Sequence, residues 1–254
     1  PEFREPSAEA VSAMLDFVSD RLPGSNVALT GGEPTLRPSF FEVLRYALDR
    51  PGIGSVQVQT NAVGFATEER VRQVPSSDKL NFFVSLHAVD AAVYDRCTGS
   101  RGQLPRALQG IRNLLAAGHR LTLNTVVCAP NVAHLRDMVA ALPGLLPGAR
   151  VPMLHYSIVM CFPHRPDGPE FLVRYSELVP ALAAAVAEAE RQGIPVEPLV
   201  SSTHASLPLC LVGQEAREES RHRPLLSESE TGYEDFSKSW VKAASCRTCR
   251  FARH

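Results

Sequence analysis

The stretch "LTGGEPTLRP", Leu29 to Pro38, follows a short apolar run (Val27, Ala28, Leu29) and leads almost at once into a helical pattern. A strand that ends in Gly31-Gly32-Glu33-Pro34 must turn sharply. Paired glycines permit a tight turn and let another group come close to the backbone. Glu33 adds a side chain that, ionised, only accepts hydrogen bonds, and Pro34 stiffens the exit. On its own, such a segment is a strand-to-helix turn with a surface acid. Its neighbours decide whether it is more than that.

Working outward, apolar runs rich in β-branched residues alternate with helical periodicity. The strands read as 26–30, 55–60, 82–86, 121–127 and 154–159. Their spacing, on the order of thirty residues, is that of βαβ units and predicts a parallel sheet. Ser7 is placed to cap a first helix whose apolar stripe is Val11, Met14, Leu15, Val18 and Leu22. Ser39-Phe40-Phe41-Glu42 has the form of a capping box for a second. A third runs from about Pro105 through Leu108, Ile111 and Leu115 to a stop at Gly118. Asn131 is placed to cap a fourth with Leu135, Met138 and Leu142 inward, and 175–192 forms a fifth, ended by Gly193. Beyond Val200 the character changes: residues 213–230, charged and Ser-rich, read as a solvated loop.

The chain has 254 residues, 44% of them hydrophobic and 21% charged, enough for a sizeable core. A net charge of −1 offers no broad attraction to nucleic acid or anionic lipid. No apolar run approaches the roughly 20 residues that span a bilayer. No secretory leader is visible, and six cysteines are few for a disulfide scaffold of this length. These features point to a reducing cytoplasm and to metal-binding roles for clustered cysteines.

The predicted strands share a chemical feature at their C-terminal ends, where α/β sheets bind ligands. The first ends in Gly31-Gly32-Glu33, the second in Gln59-Thr60-Asn61, the third in Ser85-Leu86-His87, and the fourth carries Asn124-Thr125. One such residue is turn chemistry. Four strands polar at the same end define a ligand site.

Here the residues carry a resemblance. "TGGEPTLRP", "QTNA", "FFVSLHAVDAAVYDRCTG", "GIRNLLAAGHRLTLNTVV" and "NVAHL", in this order, resemble the radical S-adenosylmethionine (radical SAM) enzymes over about residues 1–159. The closest likeness is to members with a C-terminal auxiliary iron–sulfur domain of the SPASM or twitch type. The resemblance implies an α/β fold: a partial (β/α)6 barrel of parallel strands over residues 1–200, and a small cysteine-bearing extension over 201–254. It implies that Gly31, Gly32, Glu33 and Pro34 lie along the methionine end of S-adenosylmethionine, with Glu33 receiving the ammonium. Ser85 and Asn124 would contact its carboxylate or ribose, with Asn61 and His87 on the same floor. Met160, Cys161 and Phe162 would line the adenine. Arg96 is either a loop ion-pair residue or a partner of the carboxylate. The activity implied is reductive cleavage of S-adenosylmethionine to a 5′-deoxyadenosyl radical, which abstracts hydrogen from a peptide or small-molecule substrate. An external electron donor would be required.

One departure matters. The family's CxxxCxxC loop, which holds its catalytic [4Fe–4S] cluster, is not in this sequence. The expectation is that it precedes Pro1 in a longer native chain, since "PEFREPSAEA" lacks an initiator Met. Cys210 with the CxxC of Cys246 and Cys249 resembles the start of an auxiliary cluster domain, and on chemistry alone would suit zinc equally. Cys97, in a loop, Cys128 and Cys161 read as small packed residues. His155, Cys161 and His164 straddle a strand end and do not read as a metal trio. Two rivals stay open: a clusterless domain of the same fold that binds a partner, and an ordinary (β/α) barrel aldolase or isomerase. The second would need a lysine base, and Lys79, Lys238 and Lys242 do not fall at the predicted strand ends.

Overall fold

The computed structural model describes residues 6–159 and 168–197, together with the backbone of 226–229 and 232–235. Five parallel strands lie in the order β1-β2-β3-β4-β5: β1 Ser25–Leu29, β2 Ile53–Thr60, β3 Leu80–Ser85, β4 Leu121–Val127 and β5 Met153–Ile158. Every connection crosses through helix, as parallel pairing requires. All five expected strands are present, with ends displaced by two residues at most. After the last long helix the chain returns beside β5. Val196 bridges Leu154, and the Leu154 amide donates to the Pro195 carbonyl. The architecture is the expected α/β partial barrel.

The helices are α1 Ala8–Arg21, α2 Phe40–Asp49, α3 Glu68–Arg72, α4 Ala91–Thr98, α5 Leu104–Ala116, α6 Leu135–Leu145 and α7 Tyr175–Arg191. Helical spacing decides what each buries. In α2, Phe40, Val43, Leu44 and Ala47 point inward, and in α5 Leu104, Ala107, Leu108, Ile111 and Leu114 do so. They pack on one face of the sheet, formed by Val56, Val58, Phe82, Val84, Leu123 and Leu154, all nearly inaccessible. An edge-to-face series runs through this layer, from Phe40 to Phe65 (6.4 Å) to Phe82 (5.4 Å). Gly110 is the closest approach of α5: a Cβ there would lie 2.0 Å from the Ala62 carbonyl oxygen. Ala62 is itself left-handed, with φ 60°.

Several local expectations are corrected. Ser7 caps α1 as expected, accepting from the Ala10 amide. Ser39 precedes α2 but makes no capping bond; its hydroxyl accepts instead from Arg37 Nε at 2.7 Å. Asn131 precedes a short 3-10 turn, Val132–His134, but its side chain makes no capping bond. Its Oδ1 accepts from the Cys128 amide, and its Nδ2 donates to the His87 and Val126 carbonyls, so it staples the ends of β3 and β4. Cys97 lies in helix α4 rather than in a loop: Asp90 caps the helix through the Val93 amide, and left-handed Gly99 ends it. The segment read as a loop carries β6 Leu226–Ser229, paired antiparallel with β7 Gly232–Asp235. Four-residue, largely polar strands are too short to show a period in sequence.

Candidate functional site

Parallel register puts alternate residues of neighbouring strands on the same face. Away from the helices this face is polar. Ser85, Asn124 and His155 are register partners, forming one rung across β3, β4 and β5. Nearer β1 the layer consists of hydrogen-bonded amides and hydroxyls: Thr30 Oγ1 to Gln59 (2.8 Å), Gln59 to Gln57 (3.2 Å) and Ser55 to Asn26 (2.7 Å).

The rung itself is only partly satisfied. Asn124 Oδ1 accepts from Ser157 Oγ at 2.9 Å. His155 Nδ1 meets Glu197 Oε2 at 2.7 Å, and its ring packs edge-on against Phe83. The His155 hydrogen bond holds the Glu197 carboxyl below the usual range, against the opposing effect of burial. The Ser85 hydroxyl, Asn124 Nδ2 and His155 Nε2 make no hydrogen bond within the described residues, yet none is sealed away from solvent. Three adjacent polar groups on this face, at half-buried Ser85 and buried Asn124 and His155, therefore keep hydrogen-bonding capacity that no described residue takes up.

The Gly31–Glu33 turn stands at the same end of the sheet. Gly31 has φ +139°, a conformation other residues rarely adopt, and a Cβ on either glycine would meet nothing within 4 Å. Among the described residues, nothing fills the space where those side chains would stand. Glu33 is much less free than its motif suggests. Its Oε1 accepts from the Thr35 amide (3.2 Å), the Thr35 hydroxyl (2.6 Å) and the Thr60 hydroxyl (2.7 Å), and its Oε2 from the Asn61 amide (2.7 Å). The carboxylate thus pins a short 3-10 helix, Pro34–Leu36, to the end of β2, with Pro34 in its first turn. Oε2 keeps room for one more donor.

Glu33 and Asn61 line a rim cavity of about 360 Å3 together with Tyr94, Gln103 and Arg106. Ser85 and Asn124 are not in its lining; they belong to the polar face. Asn61 Oδ1 is engaged by the Val63 amide. His87 Nδ1 accepts from the Val126 amide at 3.2 Å, extending the β3–β4 ladder past its last backbone pair. That bond requires the neutral ring with its proton on Nε2, and burial holds the His87 pKa down at about 4. Arg96 is exposed on α4, outside the cavity lining. Met160, Cys161, Phe162, His164, Cys210, Cys246 and Cys249 lie outside the described residues. Among the described residues no group of three His, Cys, Asp or Glu is arranged to hold a metal. No described helix is long and apolar enough to cross a membrane.

Sequence reasoning missed the His155–Glu197 pair and the cavity residues Tyr94, Gln103 and Arg106. Glu197 lies 42 residues from its partner, in a segment with no strand signal of its own. For Tyr94 a signal existed: an aromatic one turn after a capping Asp.

A model of the Radical SAM superfamily matches residues 1–141, and the chain belongs to that family. It is 32% identical over 140 residues to the mycofactocin maturase MftC of Mycobacterium ulcerans, covering 54% of this chain and 37% of that protein. It is 33% identical over 116 residues to the GTP 3′,8-cyclase of Aeromonas hydrophila subsp. hydrophila, covering 45% of this chain and 33% of the relative. The chain spans about a third of the length of these relatives, which are enzymes. Among solved structures, anSMEcpe with bound AdoMet and the Kp18Cys peptide superposes at a TM-score of 0.63 and 15% identity, covering 81% of this chain and 60% of that one. Streptococcus suis SuiB bound to the precursor peptide SuiA does so at 0.59 and 14%, covering 78% and 43%. At these identities the structures establish the fold.

Proposed function

We propose that residues 1–200 are the S-adenosylmethionine-binding barrel of a radical SAM enzyme acting on a peptide, and that 201–254 begin an auxiliary iron–sulfur region of the SPASM type. The observation that carries this reading is the partly satisfied polar rung at Ser85, Asn124 and His155, at the same end of the sheet as the Gly31–Gly32 backbone. Glycine backbone suits close approach of the methionine end, and the remaining acceptor site on Glu33 suits its ammonium. Ser85 and Asn124 are placed to hold the carboxylate or the ribose. No group of cysteines among the described residues is arranged to hold a metal, and a catalytic [4Fe–4S] cluster would take its cysteines from outside them. When bound, that cluster and S-adenosylmethionine, fed by an external electron donor, would supply the radical that removes hydrogen from the substrate. Cys210, Cys246 and Cys249 would hold the auxiliary cluster.

The polar face supports a peptide. Its amides and hydroxyls at Gln57, Gln59, Asn124 and Ser157 match the neutral donors and acceptors of a peptide backbone. A maturase is among the relatives, and two fold neighbours carry peptides.

Calorimetric titration of the cluster-reconstituted full-length protein with S-adenosylmethionine tests the site. Asn124→Ala is expected to weaken binding about tenfold, for one lost hydrogen bond of roughly 1–1.5 kcal/mol. Release of 5′-deoxyadenosine under reducing conditions tests the chemistry. Full-length protein that neither binds nor cleaves S-adenosylmethionine would leave the clusterless binding domain as the better reading.

A further inference from the structure

Cys97 and Cys128 come from separate elements, the last turn of α4 and the residue after β4, yet their Sγ atoms are 3.7 Å apart. Cys128 is buried and Cys97 partly accessible. Neither belongs to the site described above or to the cysteines assigned to clusters. Bond formation needs the sulfurs to close by about 1.7 Å, from 3.7 Å to about 2.0 Å. Their position favours reaction as well as contact. The Cys128 amide is fixed by Asn131 Oδ1 at 2.8 Å, which holds the residue in place after the strand ends. The two thiols share a hydrogen bond, and that bond draws the Cys128 thiol below its usual pKa, opposed by burial and aided by the Asn131 backbone amide and the nearby Arg96 charge. Cys97 is raised correspondingly, chiefly by the same bond. Two sulfurs held in contact in this way can pass from a sulfenic acid on one to a disulfide with the other.

We propose that Cys97 and Cys128 are a reversible thiol–disulfide modification site that, when oxidised, ties α4 to the end of β4. The oxidant is a hydroperoxide. The Cys128 thiolate attacks one peroxide oxygen, the O–O bond breaks, and with a proton from solvent a sulfenic acid forms and water leaves. Cys97 sulfur then attacks the sulfenic sulfur, giving up its proton, and a second water departs as the S–S bond forms. In sum two thiols and hydrogen peroxide give one disulfide and two waters; a dithiol reductant reverses the bond. The consequence falls on the cavity, because α4 carries Tyr94 in the cavity wall next to Glu33. Burial, with the Asp95 and Glu33 charges, raises the Tyr94 hydroxyl pKa, which keeps that wall group protonated.

The experiment is residue-by-residue cysteine mapping of full-length protein exposed to stoichiometric hydrogen peroxide, with differential alkylation and mass spectrometry. It reads the sulfurs directly, so it is independent of whether S-adenosylmethionine binds. The expected result is a Cys97–Cys128 linked peptide in most molecules, lost on treatment with dithiothreitol. In Cys97→Ser the link disappears and a sulfenic acid on Cys128 becomes trappable by dimedone, while Cys128→Ser leaves Cys97 unmodified at the same dose. Cys97 and Cys128 both remaining alkylatable thiols, while peroxide consumes other cysteines, would overturn the proposal. So would linkage of either residue mainly to a third cysteine.

Discussion

Replacing Glu33 by Gln separates two roles that the motif alone conflates. If the acid served only to receive a ligand's ammonium, its removal would leave the unliganded protein as stable as before. The geometry says otherwise, because the carboxylate already accepts four hydrogen bonds, three at Oε1 and one at Oε2. A Gln amide keeps one oxygen. With that oxygen toward Thr35 and Thr60, its NH2 faces the Asn61 amide, donor against donor; turned over, it loses the three-donor side. Hydrogen bonds to a charged group contribute roughly 1.5–3 kcal/mol and neutral ones nearer 1, and an unsatisfied donor costs about 1–3 kcal/mol. Glu33 is only half-buried, so water recovers part of the loss. A destabilisation of about 3 kcal/mol results, which lowers the thermal midpoint of a domain this size by roughly 6–12 °C. Urea titration and calorimetry of the ligand-free Glu33→Gln protein, beside the parent, measure it. Stability unchanged to within about 0.5 kcal/mol, alongside a ten- to hundredfold loss of S-adenosylmethionine affinity, would refute the structural role and restore a purely ligand-binding one.

Gly110→Ala raises helix propensity by about 1 kcal/mol but drives a Cβ onto the Ala62 carbonyl. A net destabilisation of about 2 kcal/mol by urea titration is expected, since overpacking typically costs 1–3 kcal/mol and the obstacle is backbone. His87 is half-buried and neutral, its pKa held at about 4 against an ordinary 6.5 by desolvation. The unfolded chain therefore takes up this proton first as pH falls. Its contribution is constant above pH 6.5 and lost between 6.5 and 4, about 3 kcal/mol in all, and His87→Asn, which keeps an acceptor for the Val126 amide, should flatten that part of the stability–pH curve. Full-length protein purified anaerobically should lose one cluster's worth of iron and sulfide when Cys246 and Cys249 are both replaced by Ala, and an unchanged iron content would remove these residues from the metal set.

The order of the five strands and of the longer helices between them, the parallel sheet and the inward faces of α5 and α6 were legible in the sequence because they depend on local repeats, of two for strands and 3.6 for helices. The spacing of about thirty residues left little choice but crossover connections. The Gly31–Gly32 turn was legible for a related reason: backbone freedom is a property of the residue itself. The partners of polar side chains were not. Ser39 satisfied the pattern of a capping box and was taken by Arg37; Asn131 satisfied that of a cap and became a staple between strand ends. Glu33 spends its lone pairs on donors two, 27 and 28 positions away, and His155 and Glu197 meet across 42 residues of chain. Cys97 and Cys128 come together only because α4 docks beside the end of β4. A hydrogen bond or thiol contact demands placement to a few tenths of an ångström. Periodicity decides which face a residue occupies, and only the packed sheet decides what it touches there.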